Sequence, residues 1–343
     1  MDFVETEGDT IDAAIESALK LLGVGRDKIT VDIISEGRKG ILGFGAQKAR
    51  VRAELRKSPL EHKITAEPPP ASGEPAAAPI DNSAVSEKAQ AALRDILNLM
   101  RERLIVALDV DNLEQAEELV RLLAREVGMF KIGKQLFTHA GPQAVRLIQH
   151  LGGEIFLDLK FHDIPNTVAK AAIEATRLGV KMFNVHASGS LEMMRTTAKD
   201  VERVCGRTKL RRPIMLAVTV LTSLGQDDLQ RVGVEHKVAD QVVRLALLTK
   251  EAGMDGVVAS PHEVADIRAA CGRRFVIVTP GIRPAEANRN DQQRVMTPSQ
   301  AIRAGVDYIV VGRPILEAKD PVGAARAIVA DMILSAASRL VLA

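Results

Sequence analysis

Three charged residues lie close together in the segment 154–167, whose pattern predicts a strand followed by a loop and a helix. Asp158 and Lys160 are two positions apart, so an extended strand directs both side chains to the same face. Asp163 follows in the loop beyond the carboxyl end of that strand. Opposite charges fixed on one rigid strand are costly in a hydrophobic core and useful in a site. The segment therefore predicts part of a ligand or catalytic site at the carboxyl end of a strand.

The elements that must position this site form a repeated pattern. Short and mostly apolar segments, typical of strands buried on both faces, lie at 104–109, 129–133, 154–160, 182–187, 214–220, 256–260, 275–281 and 308–313. Helical segments such as 163–178 and 239–252 separate them. Strands alternating with helices over this length predict an α/β fold of the (β/α)₈ TIM barrel type. An open doubly wound sheet is the weaker alternative, because no glycine-rich turn follows the first strand.

Polar residues at the strand ends of such a barrel converge on one face. A lone Lys or Asp there is more often part of a structural ion pair, but agreement at many strand ends favours a ligand site, because desolvated charges are hard to keep without one. The strand-end residues are Asp109, Lys131, Lys134, Asp158, Lys160, Asp163, Asn184, His186, Thr219, Thr222, Pro280, Gly281, Arg283, Gly312 and Arg313. Arg283 and Arg313 can each fork onto phosphate oxygens, and Gly312 lets the backbone approach a ligand. The last two strands therefore predict a phosphate site, with the reacting part of the ligand near the first three.

Residues 104–335 resemble the orotidine 5′-phosphate decarboxylase family. The matching segments are Val-Ala-Leu-Asp109, Phe130-Lys131-Ile-Gly-Lys134, Asp158-Leu-Lys160-Phe-His-Asp163-Ile-Pro-Asn-Thr167, Asn184-Val-His186-Ala-Ser-Gly189, Val-Thr-Val-Leu-Thr222-Ser, Thr279-Pro-Gly-Ile-Arg283-Pro, Asp291-Gln292 and Val-Val-Gly312-Arg313-Pro. They follow one another in order, without a departure at any position that the family uses. The resemblance implies decarboxylation of orotidine 5′-phosphate to UMP, the last step of de novo UMP synthesis, with no cofactor and no metal ion.

The resemblance also implies a role for each matching residue. Lys131, Asp158 and Lys160 would form a charged network, which Asp163 of the partner subunit completes in a homodimer with a shared active site. Lys160 would donate the proton to C6 of the pyrimidine. The substrate-binding residues that the resemblance implies are Asp109, Lys131, Asp158, Thr167, Thr222, Pro280, Arg283, Gln292, Gly312 and Arg313. Among them Asp109, Lys131 and the partner subunit's Asp163 and Thr167 would bind the ribose, Thr222 would lie at the pyrimidine, and Gln292, Arg283, Gly312 and Arg313 would hold the 5′-phosphate.

The chemistry of this reaction agrees with those roles. Loss of CO₂ from C6 leaves a carbanion with no adjacent electron sink, so the protein must stabilise the charge electrostatically. A fixed ammonium at Lys160 interacts more strongly with the developing charge than with the ground state. Asp158 beside the substrate carboxylate would disfavour the ground state. The segments 223–227 and 284–290 are candidate lids over the bound phosphate.

Two other functions remain open at this point. Related barrels act on sugar phosphates, as keto-gulonate phosphate decarboxylases and hexulose phosphate synthases do; they share Asp-x-Lys-x-x-Asp but typically need Mg²⁺. The Asp-Ile-Pro-Asn-Thr and Thr-Pro-Gly-Ile-Arg segments favour orotidine 5′-phosphate. An RNA-linked scaffold with a silent barrel is the third possibility, and the retained Lys160 and Arg313 argue against it.

A proline- and alanine-rich segment divides the chain, and its composition predicts a disordered linker over 58–85. The predicted domains are therefore a small α+β domain at 1–57 and the barrel at 86–343, the latter opening with a helix capped by Ser86. In the small domain, periodicity predicts a helix at 10–22 and strands at 29–34 and 49–55.

The glycine-rich segment 36–45 does not fit a phosphate-binding loop and is better explained as a tight turn that exposes Leu42 and Phe44. Basic residues at 38–57 form either a partner-binding face or a solvated strand face. The small domain resembles the Jag N-terminal domain of bacterial RNA-associated proteins, which implies a protein or RNA-associated partner and a docking role.

Composition excludes several classes. The 343 residues are 46% hydrophobic, enough for a sizeable core, and the net charge of +2 argues against a bulk polyanion binder. Aromatic residues make up only 3%, which argues against base stacking. The sequence contains no apolar run of about 18 residues, so we expect no transmembrane helix. The acidic N-terminus lacks a signal-peptide core. The distant Cys205 and Cys271 predict reduced thiols and a cytoplasmic location.

Overall fold

The computed structural model describes residues 3–8, 10–22, 29–35, 48–55, 82–284 and 296–340. The chain divides into two compact units, Met1–Pro79 and Ile80–Ala343. The predicted turn at 36–45, residues 58–81 of the predicted linker, residues 285–290 of the second predicted lid, and Asp291 and Gln292 lie outside the described residues. Within the described ranges, no helix combines the length and the apolar character that crossing a membrane requires.

The described residues of the first unit form a three-stranded antiparallel sheet with one helix. Its elements are β1 (Phe3–Gly8), α1 (Ile11–Leu22), β2 (Ile29–Ser35) and β3 (Ala49–Leu55). The strand order is β1-β3-β2. The predicted helix and both predicted strands are confirmed within one residue, whereas β1 was not predicted from its acidic sequence. Its partner explains it, because β3 pairs with β1 along the whole length of both.

The two faces of β3 have different surroundings, as its alternating sequence predicts. Ala49, Val51 and Ala53 are fully buried, and Val51 and Ala53 pack against apolar side chains of α1. The arginines between them lie on the opposite face, where Arg50 pairs with Glu7 at 3.1 Å and Arg52 pairs with Glu5 at 2.7 Å. Two arginines of the predicted basic face are therefore paired with acidic residues of β1.

The second unit alternates strands and helices. Its strands are β4 (Leu104–Ala107), β5 (Met129–Ile132), β6 (Ile155–Phe161), β7 (Met182–His186), β8 (Ile214–Val218), β9 (Gly256–Val258), β10 (Val276–Thr279) and β11 (Tyr308–Val311). Its helices are α2 (Asn82–Glu102), α3 (Leu113–Leu123), α4 (Lys134–Ala140), α5 (Pro142–His150), α6 (Pro165–Arg177), α7 (Leu191–Thr208), α8 (Gln226–Arg231), α9 (Val238–Glu251), α10 (Val264–Cys271), α11 (Pro298–Ala304), α12 (Arg313–Leu316) and α13 (Pro321–Leu340). The prediction that Ser86 caps the first helix is wrong, because α2 begins at Asn82 and runs through that position.

The eight strands close into a parallel barrel in the order β10-β11-β4-β5-β6-β7-β8-β9, and β9 pairs with β10. The predicted TIM barrel is thereby confirmed; seven of its strands end one or two residues earlier than predicted, and β6 ends one residue later. Most residues of the barrel strands are buried and none is exposed, because helices cover the outside of the barrel and side chains fill the inside.

Alternation along each strand separates two apolar cores. The smaller core fills the barrel interior and consists of Ile105, Ala107, Met129, Phe156, Met182, Leu216, Val278 and Val310. The larger core lies between the strands and the surrounding helices and includes the intervening positions, such as Val106 and Leu157. Two residues beyond an interior position, the chain faces inward again. Phe156 is thus followed by Asp158, and Met129 by Lys131, so the register that fills the barrel also directs charges to its carboxyl end.

Candidate active site

A chain of alternating charges lies at the carboxyl ends of β4, β5 and β6. The Lys131 Nζ lies 3.3 Å from Asp109 Oδ1 and 3.4 Å from Asp158 Oδ2. The Lys160 Nζ lies 2.7 Å from Asp158 Oδ1. Each charge therefore has a neighbour of opposite sign, and four side chains from three strands form one continuous network.

Burial differs along this network. The side chains of Lys131 and Asp158 are each 12% exposed and that of Lys160 is 24% exposed, while Asp109 is 58% exposed. Because solvent screens an exposed ion pair strongly, the Asp109 contact contributes little to stability. The buried end, around Asp158, is where a ligand would meet a strong local field.

Strand β6 is irregular at this position. It pairs with β7 through Leu157 and then only through Phe161, so that Asp158, Leu159 and Lys160 lie opposite Asn184 alone. Lys160 has a φ of 53°, a left-handed conformation that is unfavourable for a side chain with a Cβ. Asn184 is fully buried beside the bulge. Its Oδ1 accepts the Lys160 backbone N–H at 2.8 Å, and its Nδ2 donates to Asp158 Oδ1 at 2.7 Å.

Two adjoining cavities open beside the charged network. The larger, of about 230 Å³, has Asp158 and Lys160 on one side and apolar side chains on the others. It is lined by Lys131, Phe156, Asp158, Lys160, Val218, Val220, Leu221, Thr222, Val258, Ala259, Pro280 and Val310. Apart from Pro280, its apolar lining residues were not predicted as part of a site. Their mixture with a few fixed charges is typical of pockets that orient a small ligand by a small number of polar contacts.

The smaller cavity, of about 130 Å³, lies at the ends of β10 and β11. It is lined by Ala107, Asp109, Lys131, Pro280, Gly281, Ile282, Arg283, Val310, Gly312, Arg313 and Pro314. Arg283 is only 7% exposed. A Cβ added at Gly312 would stand 3.4 Å from Asp109 Oδ2, so a larger residue would fill this cavity. Guanidinium groups and an open backbone at one small cavity suit a phosphate group.

The two cavities share Lys131, Pro280 and Val310. A ligand that occupied both would place an anionic end near Arg283 and a planar end beside Asp158 and Lys160. The predicted site residues Asp109, Lys131, Asp158, Lys160, Thr222, Pro280, Arg283, Gly312 and Arg313 therefore line one composite cavity.

Two predicted residues lie away from this cavity. Asp163 and Thr167 are exposed and line neither part of it. The Asp163 Oδ1 accepts the N–H of Ile164 at 2.6 Å, and the Ile164 side chain is itself 66% exposed.

Gly133 is a site residue that sequence reasoning did not single out. A Cβ added there would lie 3.2 Å from the Lys131 Nζ and 3.6 Å from Asp109 Oδ1. Its backbone has φ −86° and ψ −178°, an extended conformation that any residue can adopt. Glycine is therefore important here for the space that it leaves beside Lys131, and not for its backbone conformation. The sequence signal available was its position two residues beyond Lys131, on the same inward face.

His186 lies at the end of β7, next to Asn184 in the inward series. Burial, followed by the positive charges of His162, Lys160 and Lys134, lowers the pKa of His186 to about 4. Its ring centroid lies 5.4 Å from that of His162. His186 is therefore neutral at physiological pH, and this suits a hydrogen-bonding role better than proton transfer at that pH.

The two cysteines line neither of the two cavities. Both cysteines are free, as predicted, and burial raises the pKa of Cys205 and of Cys271. In the parts of the chain that the structure describes, no group of three or more His, Cys, Asp or Glu side chains has an arrangement that could hold a metal ion.

Family models match two parts of the chain. Residues 102–328 match the orotidine 5′-phosphate decarboxylase / HUMPS family, and residues 6–55 match the Jag N-terminus. Curated relatives are similar to this chain and agree with the first of these two families. The orotidine 5′-phosphate decarboxylase of Syntrophotalea carbinolica is 60% identical over 232 residues, which cover 68% of this chain and 95% of the relative. The one from Geobacter sulfurreducens is 55% identical over 233 residues, covering 68% of this chain and 97% of the relative.

Solved structures also resemble about two thirds of this chain. The crystal structure of orotidine 5′-phosphate decarboxylase from Lactobacillus acidophilus superposes with a TM-score of 0.59 at 39% sequence identity, covering 66% of this chain and 97% of that one. An uncharacterised conserved protein from Geobacillus kaustophilus gives a TM-score of 0.58 at 34% identity, covering 66% of this chain and 99% of that one.

Proposed function

This chain belongs to the orotidine 5′-phosphate decarboxylase / HUMPS family, and we propose how its own residues carry out the conversion of orotidine 5′-phosphate to UMP. The observation that carries the proposal is the network Asp109–Lys131–Asp158–Lys160 beside a cavity with apolar walls. A carbanion forms in this reaction, and fixed charges in a water-poor cavity are a means to stabilise it without a cofactor.

The substrate lies across both cavities. Its phosphate binds between Arg283 and Arg313, where Gly312 leaves room for the phosphate oxygens. Gln292 is part of the same phosphate site by its place in the family motif. The pyrimidine ring occupies the larger cavity near Thr222 and Pro280. Binding energy from the phosphate, far from C6, then holds the ring where the charged network acts on it.

The chemical step breaks one bond and forms another at C6. The bond from C6 to the carboxylate carbon breaks, CO₂ leaves, and the electron pair stays on C6. The Lys160 ammonium stabilises that pair and then donates a proton to C6, which leaves a neutral amine that regains a proton from water. Asp158, with Lys131 on its other oxygen, holds the ammonium in place and disfavours the carboxylate of the ground state.

Turnover of orotidine 5′-phosphate, followed by absorbance with and without EDTA, tests this directly. We expect rapid, EDTA-insensitive loss of substrate in the wild type and none in Lys160→Ala. Lys199→Ala, a change at an exposed lysine of α7, is the matched control and should retain full activity. An inactive wild type that instead turned over a sugar phosphate with Mg²⁺ would point to the sugar-phosphate branch of the family.

A homodimer with a shared active site is part of the proposal. Exposed Asp163 and Thr167, beside the exposed Ile164, fit a surface that a second copy covers, so that each copy supplies them to the other's ribose site. Mixing inactive Lys160→Ala with inactive Asp163→Ala tests it. Half of the mixed molecules are then hybrids with one intact site each, which restores roughly a quarter of wild-type activity. No recovery after subunit exchange, verified by native mass spectrometry, would refute the shared site.

The small N-terminal domain, 1–57, acts as a docking unit for a protein or RNA-associated partner, joined to the barrel domain at 86–343 by the segment 58–85. Its match to the Jag N-terminus supports this. Pull-down with the full chain and with Leu42→Asp/Phe44→Asp tests it, since equal recovery by both would argue for a passive fusion. The two free cysteines support a cytoplasmic location.

A further inference from the structure

Asn184 is the residue around which the catalytic bulge of β6 is built. It is the single β7 residue that faces the three residues Asp158, Leu159 and Lys160, and it is fully buried. Both ends of its amide are used. One end accepts the Lys160 backbone N–H at 2.8 Å, and the other donates to the Asp158 carboxylate at 2.7 Å.

The first contact fixes the main chain of Lys160. Where the ladder between β6 and β7 is interrupted, a backbone N–H in a partly buried place needs another acceptor. The Asn184 Oδ1 provides it and so holds the residue at its left-handed φ of 53°. This conformation is unfavourable for lysine and persists only where surrounding contacts fix it. The direction from which the ammonium approaches the cavity therefore depends on Asn184.

The second contact fixes the carboxylate of Asp158. The Asp158 Oδ1 receives both the Lys160 ammonium at 2.7 Å and the Asn184 amide at 2.7 Å, while its Oδ2 faces Lys131. The amide orientation follows from these partners, because only one assignment gives an acceptor to the backbone N–H and a donor to the carboxylate. Three donors around one carboxylate leave it a single favoured orientation.

We infer that Asn184 is a positioning residue for decarboxylation, which sets the Asp158 carboxylate and the Lys160 ammonium at their working geometry without touching the substrate. The inference rests on the proposed function of the cavity and adds a residue to its machinery. Since no residue of β7 lines the phosphate cavity, loss of Asn184 lowers kcat and leaves the KM for orotidine 5′-phosphate almost unchanged. Misplacement by about 1 Å near a reacting centre lowers a rate on the order of 100-fold.

Two variants separate positioning from folding. Asn184→Ala removes both hydrogen bonds, and we expect kcat to fall on the order of 100-fold. Asn184→Asp has nearly the same shape and keeps an acceptor for the Lys160 N–H. When ionised, however, the introduced carboxylate faces the Asp158 carboxylate and repels it; when protonated, its O–H can donate to Asp158 as the amide does. Its kcat relative to wild type should therefore rise as the pH falls.

The pH profile is measured for both variants between pH 5 and 8.5. The charged groups that face position 184 are Asp158 and Lys160 from β6, with Lys131 behind them. The titratable His186 lies on the same strand as Asn184, and the residue paired with Asn184 on β8 is the apolar Leu216. These groups are common to both variants, so the ratio of Asn184→Asp to Asn184→Ala isolates the introduced carboxyl group. Binding of UMP, measured by calorimetry, and the Tm report whether each variant is folded.

The outcomes are distinct. A kcat loss at unchanged KM, with partial rescue of Asn184→Asp at low pH, supports the positioning role. If both folded variants retain kcat within threefold of wild type, or if the ratio of the two stays flat with pH, Asn184 serves the fold alone and the inference fails. If Asn184→Ala does not fold, the pH dependence of Asn184→Asp against wild type decides. A wild type that does not decarboxylate orotidine 5′-phosphate refutes the proposed function instead.

Discussion

Replacement of Gly133 by alanine should impair catalysis while leaving the fold intact. The added Cβ would lie 3.2 Å from the Lys131 Nζ, a contact tight enough that the ammonium must shift by a few tenths of an ångström. The ammonium is the far end of a flexible side chain, so the shift itself requires little energy. Its consequence is functional, because Lys131 joins Asp109 to Asp158 in the charged network.

The magnitude follows from two separate effects. For stability, the backbone at Gly133 is extended, so alanine adopts it without strain and reduces the entropy of the unfolded chain, worth roughly 0.4–1 kcal/mol in favour of folding. For activity, a shift of a few tenths of an ångström is close to the tolerance of about 0.5 Å for a working site. We therefore expect kcat/KM to fall about tenfold, since a full 1 Å lowers it roughly 100-fold.

A graded series makes the test quantitative. Gly133→Ala and Gly133→Val are compared by initial rates with orotidine 5′-phosphate and by Tm, and the valine variant should lose more activity than the alanine variant. Gly206→Ala is the matched control, because a Cβ at Gly206, inside α7, meets nothing within 4 Å. If Gly133→Ala and Gly206→Ala had the same kcat/KM, the close approach of backbone to Lys131 would have no catalytic importance and the argument would be refuted.

Two further predictions concern other parts of the site. The half-buried His186 has a pKa of about 4 against 6.5 when unperturbed, so the unfolded chain binds the additional proton first and stability falls as the pH drops from 6.5 to 4. The shift alone corresponds to about 3 kcal/mol, and solvent screening at this partly exposed ring reduces the loss of stability to roughly 1–2 kcal/mol. His186→Gln should show a correspondingly weaker pH dependence in urea unfolding at pH 7 and pH 4.5. Arg283→Ala should lower kcat/KM for orotidine 5′-phosphate about 10- to 100-fold, which corresponds to the loss of a charge-assisted hydrogen bond. The kcat/KM for orotidine, which lacks the phosphate, should stay nearly unchanged. Equal losses for both substrates would place Arg283 outside the phosphate site.

Strand parity explains why so much of the site could be predicted. Once apolar segments such as 154–157 are recognised as strands, the period of two places Asp158 inward above Phe156, and Lys131 inward above Met129. Parallel strands end on one face of a barrel, so these inward residues must meet. The same logic did not identify Phe156 or Val310 as cavity walls, because core and pocket residues have the same composition and differ only in whether something else fills the space beside them.

Contacts distant in sequence account for what was not predicted. Strand β1 is acidic and has little apolar signal, and it pairs with the arginines of β3 more than forty residues later. Helix α2 begins four residues before the predicted cap at Ser86, since more than one residue in that polar segment suits a helix start. Residue propensities within β1 carry no information about its distant partner β3, and those near Ser86 do not single out one residue as the start of α2.

The bulge in β6 shows where a correct prediction had an incomplete basis. The spacing of Asp158 and Lys160 placed them on one face under the assumption of a regular strand, yet Lys160 is left-handed and the ladder with β7 skips three residues. A left-handed lysine costs about 1–2 kcal/mol, which one neutral hydrogen bond of roughly 1 kcal/mol would not offset alone. The Asn184 amide adds a second bond to a charged acceptor, worth about 1.5–3 kcal/mol, and the two together exceed the strain. The charges of Asp158 and Lys160 thus share a cavity because the buried Asn184 amide, 24 residues beyond Lys160, binds the first and the last residue of the bulge.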